Sequence, residues 1–336
     1  MFLTKMIKFF IIPVILTMMI TLTVFLVFKN NQSNQIEVQS GKGGSRANAS
    51  PSPKAAQANN PITFNPREFR IPEKINFRGL NLIFFADQYS SWEEFENDVS
   101  ALLEEAKKVE PWRSYSLFNI YKINPQNSAG MCYIKTQNER KPTLRCREEI
   151  NDYLNVLPLE RFKLIVLSRS DFQSWANVTR IGNSGIFFSV PNVLSANTDK
   201  KSYGILFLHL LGHSFGLKDE ELAVLAKYNT AVLTPDGPNC APNLETAREW
   251  WGDLALRHPQ RIGFFQGCGG DIRHIKPTQS SLMNLNDQSD FIADYGPVSE
   301  LYLNKILEYC FTADYYVKKD DAVFFEHYPE IEECYN

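Results

Sequence analysis

Two histidines four residues apart, His209 and His213, open the most chemically informative stretch of the chain, I-L-F-L-H-L-L-G-H-S-F-G-L-K-D-E-E at 205–221. On an α-helix, side chains at i and i+4 share a face, so both imidazoles can reach one ion. Gly216 comes three residues after the second histidine, where the chain must turn to bring a further ligand back. Asp219 comes three residues after that, completing H-x-x-x-H-x-x-G-x-x-D. Two imidazoles and a carboxylate suit Zn(2+) and leave a fourth position open. A plainer reading competes: two incidental helical histidines, followed by Asp219, Glu220 and Glu221 as an acidic cap on the next helix. Of the five histidines, His258, His274 and His327 stand alone and read as surface or structural residues.

A second feature is S-L-M-N at 281–284. Beyond residue 66 the chain has only two methionines, Met131 and Met283. Alone, Met283 reads as a core methionine in a tight turn. Its place after the histidine motif makes it a candidate structural support for that motif. Trp250 and Trp251 read as core or cleft wall. No Gly-rich phosphate loop and no G-x-S-x-G elbow is present, so a serine-hydrolase reading has no support.

The elements that must position these residues follow from hydrophobic periodicity. The run Leu80–Ala86, ending at Asp87, predicts a buried strand. Ser90 and Ser91 before Glu93 and Glu94 predict a capped helix to about Lys108, with Phe95, Val99 and Leu102 on its apolar face. Leu117–Ile123, Lys163–Leu167 and Gly185–Val190 predict strands. Glu148–Leu157, Ser202–Phe215, Leu244–Leu256 and Val298–Tyr309 predict helices. Strands alternating with helices, then mostly helices, indicate an α/β (α+β) domain.

The N-terminus has a different character. Phe9–Phe28 carries no charged residue over 20 positions, about the length needed to cross a bilayer as a helix. Lys5, Lys8 and Lys29 flank it, and no small-residue cleavage site follows at once. The expectation is an uncleaved, single-pass signal anchor with residues 1–8 cytoplasmic. Residues 29–66, rich in Ser, Asn, Gln, Gly, Ala and Pro, read as a flexible linker. Residues 67–336 form the expected extracytoplasmic domain. They hold all six cysteines: Cys132, Cys146, Cys240, Cys268, Cys310 and Cys334. An even count beyond an anchor predicts disulfides, and of the 15 pairings open to six cysteines the sequential one is expected. The same residues carry 29 Lys and Arg against 37 Asp and Glu, a net charge of −8. That balance excludes a dedicated nucleic-acid binder.

In ordered detail the chain resembles the immunoglobulin A peptidase family of metzincin zinc metallopeptidases. The likeness runs from about Leu80 to Leu307. It rests on L-N-L-I-F-F-A-D-Q-Y-S, P-W-R-S-Y-S-L-F-N-I-Y, H-L-L-G-H-S-F-G-L-K-D-E, P-N-C-A-P-N with the nearby Trp250-Trp251, G-C at Gly267-Cys268, and S-L-M-N followed by G-P-V-S-E. The resemblance implies a zincin-like fold with a mixed sheet and an active-site helix. It implies a secreted or surface location, zinc held by His209, His213 and Asp219, and a methionine turn at Met283. One departure matters. The family motif is H-E-x-x-H, whose Glu serves as general base on the zinc-bound water, and the matching position here is Leu210. A leucine neither accepts nor returns a proton. The expected function is therefore a membrane-anchored, zinc-binding pseudopeptidase that uses its cleft for a peptide, protein or cell-wall ligand. The alternative is an active zinc metallopeptidase with a non-standard base, Glu220 or Glu221. A purely structural domain without metal is a weaker third reading.

Overall fold

The computed structural model describes residues 69–311 and Tyr328, except 77, 126–130, 136–142, 149, 151–153, 155–156, 158, 160, 171–173, 177–183, 191–196, 222–236 and 285–292. The expected anchor, the linker, His327 and Cys334 lie outside the described residues, as does most of the expected helix Glu148–Leu157. Among the described residues, no helix is long and apolar enough to cross a membrane.

A six-stranded sheet organises the domain. Its strands are β1 (Phe69–Arg70), β2 (Leu80–Asp87), β3 (Phe118–Ile123), β6 (Phe162–Ser168), β7 (Trp175–Ala176) and β8 (Ser184–Ser189), in spatial order β1-β3-β2-β6-β8-β7. Strands β3, β2, β6 and β8 run parallel, while β1 and β7 pair antiparallel at the two edges. This is the mixed α/β architecture the sequence leads one to expect. Strand β2 is buried at all eight positions, which is why it reads as an unbroken apolar run rather than an alternating one.

The period of two along that strand divides the core. Leu80, Leu82, Phe84 and Ala86 join one cluster, and Ile83 and Phe85 join another on the opposite face. The first cluster takes in helices α1 (Trp92–Ala106) and α2 (Asn197–Ser214), together with the last described helix, Pro297–Phe311. Ser91 caps α1 by accepting from the Glu94 N–H at 3.2 Å, leaving Phe95, Val99, Leu102 and Ala106 to bury its inner face. The second cluster takes in Met131, Cys132, Ile150 and Leu157. There the hairpin β4 (Cys132–Lys135) and β5 (Thr143–Cys146) sets Cys132 directly opposite Cys146, and the two form a disulfide.

The later part of the chain adds α3 (Leu244–Arg257), the hairpin β9 (Phe265–Cys268) and β10 (Asp271–Lys276), and α4 (Pro297–Phe311). A small third cluster around Trp251, Leu254, Ile262 and Ile275 joins α3 to β10. Cys240 is bonded to Cys268, and Cys310 is also disulfide-bonded. The first two bridges follow the sequential pairing.

Candidate metal centre

Helix α2 opens with the polar run Asn197–Ser202 and is apolar along most of its remainder. Phe207, Leu208, Leu210 and Leu211 are all buried in the cluster that also holds the sheet residues. Within that apolar part His209 and His213 are the polar interruptions, on successive turns, and they are themselves buried. The helix stops in a Schellman arrangement. Leu217 N–H donates to the Gly212 carbonyl at 3.2 Å and Gly216 N–H to the His213 carbonyl at 2.9 Å. This geometry needs a left-handed residue, and Gly216 supplies it with φ 95°. The reversal carries Asp219 back beneath the histidines.

The three side chains converge. Asp219 Oδ1 lies 3.0 Å from His213 Nε2 and 3.2 Å from His209 Nε2, and the two Nε2 atoms are 3.0 Å apart. Among the described residues this is the one group of His, Cys, Asp and Glu gathered closely enough to hold an ion. The outward nitrogens are fixed by carbonyls, which can only accept. His209 Nδ1 donates to Leu282 O at 3.0 Å and His213 Nδ1 to Leu217 O at 2.8 Å. In the neutral rings, both inward Nε2 atoms therefore present lone pairs. Two lone pairs and a carboxylate facing one point repel each other unless a cation or a shared proton sits among them. Around a tetrahedral ion with bonds of about 2.0–2.1 Å the donors would be about 3.3 Å apart, close to the separations seen. The donor set fits a divalent metal.

The electrostatics agree. Burial pulls His213 down, but the Asp219 carboxylate outweighs it and raises the imidazole above its usual range. Burial pushes Asp219 up, yet the two imidazoles hold it well below the usual carboxylate range. Both shifts show a pocket arranged to stabilise positive charge between these side chains.

The turn at Ser281–Asn284 packs against the helix that carries the histidines. Ser281 Oγ accepts from Met283 N–H at 3.1 Å, and Asn284 N–H bonds the Ser281 carbonyl at 2.9 Å. Met283 is fully buried, and the Leu282 carbonyl beside it is the one that orients His209. Gly212 allows this approach. A Cβ there would stand 2.8 Å from Met283 Sδ and 2.9 Å from Tyr295 Cε1. Tyr295 in turn donates to the Leu208 carbonyl within α2. Sequence reasoning passed over Gly212 and Tyr295. A glycine inside an otherwise apolar helix is the one signal that pointed there.

Of the two carboxylates next in sequence, Glu220 has both oxygens engaged away from the cluster. Glu220 is fully buried. One of its oxygens accepts from Asn239 Nδ2 at 3.0 Å, and the other from Thr278 Oγ1 at 2.7 Å and Ser281 Oγ at 2.8 Å. Burial raises its pKa, and these three donors pull the other way. Glu221 is also buried, and its main-chain carbonyl accepts from Gly270 N–H at 2.9 Å. Leu210, the residue after the first histidine, is 5% exposed and belongs to the main apolar cluster.

His258 and His274 stay apart from the group. His258 ends α3, with its N–H bonded to the Leu254 carbonyl, and His274 lies on β10 beside Asp271 at 3.5 Å. Trp251 is a core residue, and Trp250 packs against it and against Tyr328.

Comparison with known families places the site in context. The sequence model of the family described as IgA Peptidase M64 matches residues 76–261, more than half of the chain. The matched stretch contains His209, Leu210, His213 and Asp219 and ends before Met283. No curated protein matches the chain.

Proposed function

The chain belongs to the IgA peptidase M64 family, and from that premise we propose that it is a zinc-binding pseudopeptidase. In this reading the domain is of the zincin-like metzincin type. The uncharged run at 9–28 would hold it at the cell membrane as a single-pass protein with its body outside the cytoplasm. Its cleft serves to bind a peptide, protein or cell-wall ligand. Zinc, held by His209, His213 and Asp219, would supply a Lewis acid to a bound carbonyl group. The residues of the chain do the rest. Leu217 and Leu282 carbonyls orient the two imidazoles, and Met283 and Tyr295 support the helix that carries them.

The observation that carries the reading is Leu210. It occupies the position directly after the first histidine, where the family places its general base, and it has no group that can take or return a proton. The nearby Glu220 does not substitute for it, because both its oxygens are engaged by Asn239, Thr278 and Ser281. Losing a positioned general base costs about 10²–10⁴-fold.

The test compares the full-length wild type with Leu210→Glu, measuring zinc content and hydrolysis of a quenched fluorescent peptide library side by side. The wild type is expected to hold about one zinc per chain and to cleave at background rate. Leu210→Glu is expected to gain activity, by up to the roughly 10²–10⁴-fold that the base supplies. Robust, chelator-sensitive cleavage by the wild type would overturn the impaired-site reading in favour of a working peptidase. Wild type without metal would overturn the zinc reading.

A further inference from the structure

The structure assigns a job to Glu220: it is the positioning residue that holds the third ligand, Asp219, against the methionine turn. This rests on the reading of His209, His213 and Asp219 as a metal site. Asp219 does not sit on a helix or a strand. It lies on the irregular stretch 217–221 that follows the Gly216 turn, and such a stretch has no ladder of its own to fix it. What fixes it comes from elsewhere in the chain.

The fixings are specific. Asn239 clamps the preceding residue, accepting from Lys218 N–H at 2.8 Å and donating to the Lys218 carbonyl at 2.8 Å. Gly269 N–H donates to the Asp219 carbonyl at 2.7 Å, and Glu220 N–H donates to the Met283 carbonyl at 2.8 Å. Lys276 Nζ donates to the Glu220 carbonyl at 2.7 Å. The Glu220 side chain ties these threads together. Its carboxylate bonds Asn239 on one side, and Thr278 and Ser281 on the other. Ser281 opens the turn whose Leu282 carbonyl orients His209. One carboxylate thus links the segment carrying the third ligand to the segment orienting the first.

An apolar residue at 220 would fill the same interior without the penalty of burying an ionisable group. A buried carboxylate that spends its acceptors on two separate segments fixes geometry rather than maximising stability. Glu220 therefore acts on the metal only through Asp219 and the turn.

The experiment uses the full chain, stripped of metal and reloaded. Zinc affinity is measured by competition with a chromophoric chelator, and the coordination sphere is read from the visible spectrum of the cobalt(II)-substituted protein. Glu220→Ala and Ser281→Ala are expected to weaken zinc binding about 10–100-fold, as loss of a partner behind a ligand does. Both should also alter the cobalt bands. Glu220→Gln keeps the shape and part of the bonding, and should fall between Glu220→Ala and wild type. Leu256→Ser, at an exposed position on α3, should leave both readouts unchanged. If Glu220→Ala does not fold, Glu220→Gln and Ser281→Ala decide the matter. Wild-type affinity and unchanged cobalt bands in the folded variants would overturn the positioning role while leaving the metal reading intact. Failure of the wild type itself to bind zinc or cobalt would overturn the metal reading, and the positioning role with it.

Discussion

The sheet half of the domain and the site half are held together by different physics. In the first, Leu80–Asp87 and its parallel neighbours bury apolar side chains on both faces, and α1 and α2 pack onto one of them. In the second, the described residues of 216–284 hold one helix, α3, the β9–β10 hairpin and a small apolar cluster around Trp251. Their order comes from side chains bonded to main chain, from glycines at positive φ such as Gly216 and Gly267, and from the Cys240–Cys268 bridge. The lesson is about sensitivity. Apolar burial is non-directional and tolerates small displacements, whereas a polar pin works only at one geometry. Substitutions in the sheet half should cost stability, and substitutions in the site half should cost the site.

The largest effect sharpens that contrast from the sheet side. Phe84 is fully buried and faces Phe207 across a centroid distance of 6.2 Å. Phe84→Ala should destabilise the domain by about 3–5 kcal/mol in urea unfolding, while the folded fraction binds zinc with unchanged affinity. A matching loss of zinc affinity would break the division between the halves.

The next prediction approaches from the site side. Metal binds the folded state, so zinc at 100 times its dissociation constant should stabilise the wild type by about 2.7 kcal/mol. His213→Ala should abolish that gain with little change in metal-free stability. Thermal unfolding with zinc and with a chelator checks it. Equal zinc responses in the two proteins would mean that the ligands are elsewhere.

The smallest effect lies on the seam. Lys163, on β6, is buried and donates to the Ser214 carbonyl at the end of α2 at 2.6 Å. Burial pulls its pKa down to about 7. Above that pH the unfolded chain, with an ordinary lysine, holds more protons than the folded one, so stability rises with pH. Between pH 7 and 8 the gain is at most about 1.4 kcal/mol. Lys163→Met should flatten that slope in denaturant titrations at several pH values. An unchanged slope would show that another group titrates there.

The two halves also differ in how far the sequence discloses them. The apolar runs of β2, β6 and β8, the Ser91 cap and the face of α1 follow from local pattern, because each reports only on its own burial. The histidine pair and Gly216 are legible for a similar reason, since helical spacing and a forced turn are local facts. The two-residue edge strands β1 and β7 are too short to carry a period. The β9–β10 hairpin is marked only by Gly269-Gly270, with half-exposed strands on either side. Glu220 shows the limit most clearly. Its closeness to Asp219 in sequence made it a candidate base, but its partners lie 19, 58 and 61 residues downstream. Which way a carboxylate turns after a glycine depends on chain that has not yet been read.

The Cys240–Cys268 bridge joins the two grips on residues 218–220. Asn239, which grips Lys218 and Glu220, precedes one cysteine, and Gly269, which grips Asp219, follows the other. Closing this 28-residue separation removes about 3–4 kcal/mol of unfolded-chain freedom in the chain-entropy account. It brings both grips to the same strand of chain at once. Oxidation is therefore expected to favour the arrangement of residues 218–220 seen here. One covalent bond would thereby do for Lys218, Asp219 and Glu220 what a ladder does for a strand, holding a stretch that has no regular hydrogen bonds of its own.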